Sequence, residues 1–194
     1  MSTDYLAPTT ELEAVNTILA AIGETPVGTL SVALPVDASI ALTRLRAKSR
    51  GVQSSGWSFN TDERFTLSPL ADGRVPIPRN ALNVDASENN DYVTRGSFFY
   101  DRVRHTFFIQ RDIVADIVRF LPWNDLPEYA RQYLFTSVCR TFQDQMLGDE
   151  SLHQYTQSDE QLAWAAFLDA EGRNADFNVL TDSPTVGRIL RRRR

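Results

Sequence analysis

One cysteine (Cys139), one lysine (Lys48) and two histidines (His105 and His153) are all that 194 residues hold of those types. A lone thiol forms no internal disulfide. With two distant histidines it builds no thiolate-based zinc site either. This usage predicts a protein made and assembled in a reducing cytoplasm. No run of about 18 apolar residues occurs, so no spanning helix and no membrane contact are expected. The opening Met1-Ser2-Thr3-Asp4 has neither the basic start nor the apolar core of a secretory signal. Hydrophobic residues at 42% and charged residues at 23% are ordinary for a globular chain and argue against wholesale disorder.

What is abundant is arginine. Every base except Lys48 is one, and Arg191, Arg192, Arg193 and Arg194 close the sequence. The formal net charge is −5, from 20 bases and 25 acids. Without the four terminal arginines, 16 bases face the same 25 acids, a net of −9. The body is therefore acidic and the terminus basic. An acidic body grips duplex DNA poorly, because duplex affinity comes mainly from neutralising phosphates. The planar guanidinium suits carboxylates at interfaces, although GC-rich coding produces the same bias.

Periodicity divides the chain into helix, helix, β region, helix, helix and arm. Thr10 and Glu13 have capping-box spacing, and Leu12, Val15, Ile18, Leu19 and Ile22 follow at helical period up to Gly23. A connector broken by Pro26, Gly28 and Pro35 leads to a second helix from Asp37 to about Ser55. Its apolar stripe is Ala38, Ala41, Leu42, Leu45 and Val52, and Arg44, Arg46, Lys48 and Arg50 make a basic outer surface. After Gly56 come four to six short strands, beginning with the alternation of Trp57 and Phe59. Asp72-Gly73 is a hairpin signal, Pro76 and Pro78 an edge or ordered loop, and Asn89-Asn90 and Arg95-Gly96 are turns. Ile113, Ala115 and Ile117 line one face of the last strand. Pro127 opens a third helix through Tyr133, Leu134, Val138, Phe142 and Met146 to Gly148. Asp149 caps a fourth, to about Glu171, with Leu152, Tyr155, Leu162, Ala163, Ala166, Phe167 and Ala170 buried. The expected class is α+β: a bundle of about four helices (1–56 and 126–173), a small inserted antiparallel β region (57–125) and an extended arm (174–194).

Little in this chain carries catalytic chemistry. There is no Gly-x-Ser-x-Gly elbow, no phosphate-binding glycine loop and no Asp-x-Asp-x-Asp-Gly calcium loop. His105, beside Arg104 on an expected strand, reads as a surface side chain, and Cys139, mid-helix, as an inert buried thiol. The carboxylate pairs Asp112/Asp116, Asp149/Glu150 and Asp159/Glu160 read as solvated surface rather than as a glycosidase pair. No catalytic, metal or cofactor-binding residue is assigned, and no enzyme is expected. Two readings stay open on the residues alone: an envelope-degrading hydrolase, and a nucleic-acid module using the terminal arginines.

One family accounts for the chain in order. The stretch from Glu11 to Leu30, ELEAVNTILAAIGETPVGTL, resembles the opening of the tail tubular protein A family, the head-to-tail adaptors of T7-like short-tailed bacteriophages. Gly56-Trp57-Ser58-Phe59-Asn60 is similar to the family's motif after the second helix. Tyr92-Val93-Thr94-Arg95-Gly96 with Tyr100-Asp101-Arg102 resembles its β-region motif, and Leu126-Pro127-Glu128 its third helix. The resemblance spans about residues 10–180 and leaves out the terminal arginines.

The resemblance implies a structural protein of the virion tail. It implies a twelve-subunit ring joining the portal protein above to the nozzle (tail tubular protein B) below, with double-stranded DNA passing through unread. A wall that does not grip phosphate suits such a conduit. Three surfaces are expected on that basis. Arg44, Arg46 and Arg50 meet Asp159, Glu160 and Asp169 of the next subunit. Ile189, Leu190 and Arg191 to Arg194 dock on the portal. Loops at Asp72, Gly73, Asn89 and Asn90 face the nozzle.

Overall fold

The computed structural model describes residues 7–31, 33–86, 91–146 and 150–182, with side chains to Asn174 except 146 and 150–156. It is α+β, with four long helices and small antiparallel sheets. The chain folds as two compact units: residues 50–122 form one, and the segments on either side form the other.

In the helical unit, α1 (Glu11–Ala20) starts at a complete capping box: Thr10 accepts from the Glu13 N–H, and the Glu13 carboxylate accepts from the Thr10 N–H. It ends in a Schellman turn. Gly23 has φ +79°, its N–H reaches the Ala20 carbonyl, and the Glu24 N–H reaches Leu19. Val15, Ile18 and Leu19 are buried as expected, joined by Ala14, and the stripe's two ends, Leu12 and Ile22, are half-buried. The connector is tied back by Asn16, whose amide exchanges hydrogen bonds of 3.0 and 2.8 Å with the Val27 backbone. α2 (Val36–Gln53) buries Ala38, Ala41, Leu42, Leu45 and Ser49. α3 (Glu128–Met146) buries Tyr133, Leu134, Val138 and Phe142 against α1 and α4.

Three corrections concern α4 (Glu150–Asp182). It continues past Gly172 and Asn174 to Asp182, where an arm was expected from Asn174. Glycine costs a helix only about 1 kcal/mol, and Cβ space at Gly172 is open. The face turned to α3 is Glu160, Trp164, Phe167 and Glu171, spaced 4, 3 and 4. Leu162, expected inside, is 68% exposed, and Ala166 is exposed too. Alanine and leucine fit either face of a helix, and the two carboxylates that mark the true inner face look polar in sequence. Gly148, Asp149, Leu152, Tyr155 and the Met146 side chain lie outside the described residues.

In the β unit, β5 (Ile113–Arg119) is the central strand of a three-stranded sheet, with β1 (Thr61–Leu67) and β2 (Ala81–Asp85) antiparallel on either side. A bulge near Arg64 (φ +53°) shifts the β1 register, and the Arg64 N–H is held by Asp116 at 2.8 Å. β3 (Tyr92–Arg95) and β4 (Phe98–Asp101) form a hairpin around Gly96, at φ +62°. Ile113, Ala115 and Ile117 alternate inward as expected and join Leu67, Val75, Tyr92 and Phe99 in one core.

Trp57 and Phe59 are not in a strand. Residues 57–60 make a turn in which the Asn60 side chain accepts the Trp57 N–H and donates to the Gln53 and Arg119 carbonyls. The Trp57 indole donates to Val52. Alternation over two residues cannot separate such a turn from a strand. Gln53, fully buried, exchanges two hydrogen bonds with the Leu121 backbone, as a neighbouring strand would.

Candidate functional surfaces

The four family-like stretches turn out to hold the chain together. Beyond the capping box and the Asn16 tie, Glu128 of the Leu126-Pro127-Glu128 stretch binds the Thr9 N–H at 2.9 Å and its hydroxyl. Burial alone would raise that carboxyl; hydrogen bonds from Thr9 and Gln132 outweigh it and hold the pKa below the ordinary range. Trp123 and Arg131 both donate to the Thr9 carbonyl at 2.9 Å. Arg131 is buried and spends its fork on three backbone carbonyls: Thr9, Leu126 and Asn124. In the β-region stretch, the buried Asp101 carboxylate accepts the N–H groups of Val103 and Arg104 at 2.9 and 2.8 Å.

Of the residues expected at a subunit interface, several are engaged inside the chain. Arg46 forms a two-bond fork with Glu11, both bonds at 2.9 Å. Arg44 binds Gln145 and lies 5.4 Å from the Phe142 ring centroid; Lys48 lies equally far from Tyr133. Glu160 is half-buried and bonded to Ser137 and Arg140. Burial pushes its carboxyl up, but Ser137 and Arg140 together outweigh that and lower its pKa. Asp169 pairs with Arg173 one turn on, at 2.9 Å, with both side chains well exposed. Arg50 and Asp159 are exposed and without a side-chain partner among the described residues. The expected open surface is thus narrower than the charge pattern suggests. A sequence shows the sign of a charge, not whether a neighbour has already taken it.

The expected nozzle loops divide likewise. Asp72 is exposed and paired with Arg74. Gly73 is buried: a Cβ there would sit 2.5 Å from the Phe108 ring, its φ is +77°, and its carbonyl accepts from Ile109 and Gln110. Asn89 and Asn90 lie outside the described residues. Beside this turn, Arg74 and Arg95 lie 4.2 and 3.8 Å from the Phe98 and Tyr100 ring centroids, and Phe107 meets Tyr100 edge-on. Phe107, Phe108, Val103 and Leu70 are exposed there. Single exposed apolar residues are invisible to periodicity.

Among the described residues no group of three His, Cys, Asp or Glu side chains converges as a metal site, and no helix is long and apolar enough to cross a membrane. Burial pushes the Cys139 thiol up to about 12, so it stays protonated and unreactive near neutral pH. His105 sits in an exposed turn at φ +54°, not on a strand. Ile189, Leu190 and Arg191 to Arg194 lie outside the described residues, as does the His153 side chain.

Polar ties hold the helices and apolar side chains lie exposed on both units, features that suit a structural, assembling class of protein. Comparison with known proteins gives the class a family. The tail tubular protein family matches residues 12–177. Tail tubular protein A of Klebsiella phage KP34 is 31% identical over 186 residues, covering 95% of this chain and 97% of that protein. The chain belongs to the tail tubular protein family and is a structural component of a bacteriophage tail.

Proposed function

We propose that this chain is a head-to-tail adaptor. Twelve copies form a ring that joins the portal to the tail nozzle and carries the DNA channel onward. The observation that carries the reading is the match to a tail tubular protein A over 95% of this chain and 97% of that protein. The net of −9 without the terminal arginines supports it, since an acidic wall lets DNA slide rather than bind.

Three surfaces serve the ring. Ile189, Leu190 and Arg191 to Arg194 anchor on the portal by two apolar side chains followed by charge. The β unit faces the nozzle through Asp72, the 89–90 loop and the exposed rings of Phe107 and Phe108. Subunits meet through bases on α2 and acids on α4; with Arg46 and Glu160 already paired, Arg50, Asp159 and Asp169 carry the charge.

The test is imaging of the full chain mixed with the portal of the same virus. A stacked ring of twelvefold symmetry is expected. A bare portal beside folded protein overturns the reading. Deleting residues after Thr185 should weaken attachment; unchanged attachment removes the arm from the account.

A further inference from the structure

We infer that the outer faces of α2 and α4 are the two halves of a single joint, packed in parallel, between successive copies of this chain. The inference rests on the ring reading and adds to it an apolar seam and a register. Along α2, Val36, Ile40, Thr43, Ala47 and Arg50 fall on one stripe at spacings of 4, 3, 4 and 3, opposite the buried Ala41 and Leu45. Every residue of that stripe is exposed, Val36 by 73% and Ile40 by 37%. Along α4, Leu162, Ala165, Ala166 and Asp169 form the stripe opposite Phe167 and Trp164, and all four are exposed. Each helix thus carries a heptad-like seam that no described residue covers, although its other face is already packed within the chain.

The two seams complement each other. Each begins with a large aliphatic side chain, continues through small residues that let helices approach closely, and ends in a charge. The charges are opposite: Arg50 on α2 and Asp169 on α4. From Ile40 to Arg50 is about 15 Å of helix, and from Leu162 to Asp169 about 10 Å. Laid parallel, Ile40 meets Leu162, Thr43 meets the alanine pair, the small Ala47 lies level with Asp169, and the long Arg50 side chain reaches back one turn to that carboxylate. Laid antiparallel, Ile40 would fall on Asp169, an apolar side chain against a charge. Asp169 releases Arg173 at little cost, because both side chains of that pair are well exposed and screened by water. Because the halves differ, the joint is heterologous. It repeats from copy to copy and closes only as a ring or runs on as a filament, which makes the occupant another copy of this chain.

Cysteine pairing tests this in the full-length chain assembled on its portal. The Ile40→Cys, Leu162→Cys double variant, oxidised in place, should give a ladder of covalent multimers. An equal mixture of the two single variants should give covalent dimers and nothing larger, because each copy then offers one half of the joint. The wild-type chain, whose Cys139 is half-buried with its thiol held protonated, should give none. Leu162→Asp should abolish the ring with an unchanged circular dichroism spectrum. Symmetric rings in the image without a ladder overturn the joint and leave the adaptor reading standing. No ring on the portal from the wild-type chain overturns both. A ladder from the mixed single variants overturns the one-way geometry.

Discussion

The β unit and the helical unit solve the folding problem differently. In residues 50–122, nine arginines balance nine acids, and the remainder of the chain has eleven bases against sixteen acids. The β unit closes a continuous apolar core from Leu67 to Ile117 and binds its turns with buried Gln53 and Asn60. The helical unit sets two carboxylates, Glu160 and Glu171, into the face where α4 meets α3, and leaves Leu162 and Val36 in solvent. The β unit too buries polar groups, Gln53, Asn60 and Asp101, and leaves Phe65, Phe107 and Phe108 in solvent. The two units differ in where the inner polar groups sit, in turns in one and between helices in the other, and the joint proposed above would draw its assembly energy from the outer faces of α2 and α4.

The largest effect that sharpens this contrast is Phe99→Ala, which empties the centre of the β core. It should cost about 3–5 kcal/mol. Urea unfolding read by Trp57 should show it as an early loss of the β unit. Next is Gly73→Ala, which meets the Phe108 ring at 2.5 Å in a left-handed backbone conformation. A loss of about 2–3 kcal/mol is expected in the same measurement. A cost under about 0.5 kcal/mol would show that the loop holding Phe108 yields freely.

On the helical side, Thr10→Ala removes the α1 cap and should cost about 1 kcal/mol, read as a lower thermal midpoint. Acid should act on this unit as well. Glu128 and Glu160 both titrate below their ordinary 4.5 when folded. Their contribution is therefore complete above that unfolded value and disappears as pH falls through the lower folded ones. The stability of Glu160→Gln should change less between pH 6 and 3 than that of the parent; an equal slope would mean that the clasp of Ser137 and Arg140 contributes nothing. Smallest is Arg50→Glu, an exposed change worth within about 0.5 kcal/mol to the monomer. It should leave unfolding unaltered while weakening the ring, and Asp169→Arg should restore it.

Much of the fold was legible because local chemistry and tertiary role agree. The Thr10/Glu13 box, the Gly23 stop, the inward Ile113, Ala115 and Ile117 and the turn at Arg95-Gly96 all came from short-range rules, whereas Asp72-Gly73, expected in a hairpin, turns between β1 and β2, which pair with β5 and not with each other. The α4 face was misread where those rules are degenerate. Alanine and leucine look inward-facing wherever they fall, and only Ser137, Tyr129 and Arg140 on another helix reveal why Glu160 and Glu171 are inside. The candidate surfaces were legible as charge but not as availability: Glu11 has taken Arg46, and Phe108 covers Gly73.

The central claim, that the helical unit is left open for its own copies, is tested most directly by a side-chain-resolution map of the chain assembled on its portal. The account predicts a closed ring in which α2 of one subunit lies parallel to α4 of the next, with Ile40 on Leu162. A ring whose joints are made by the β units, with Leu162 still in solvent, would contradict it.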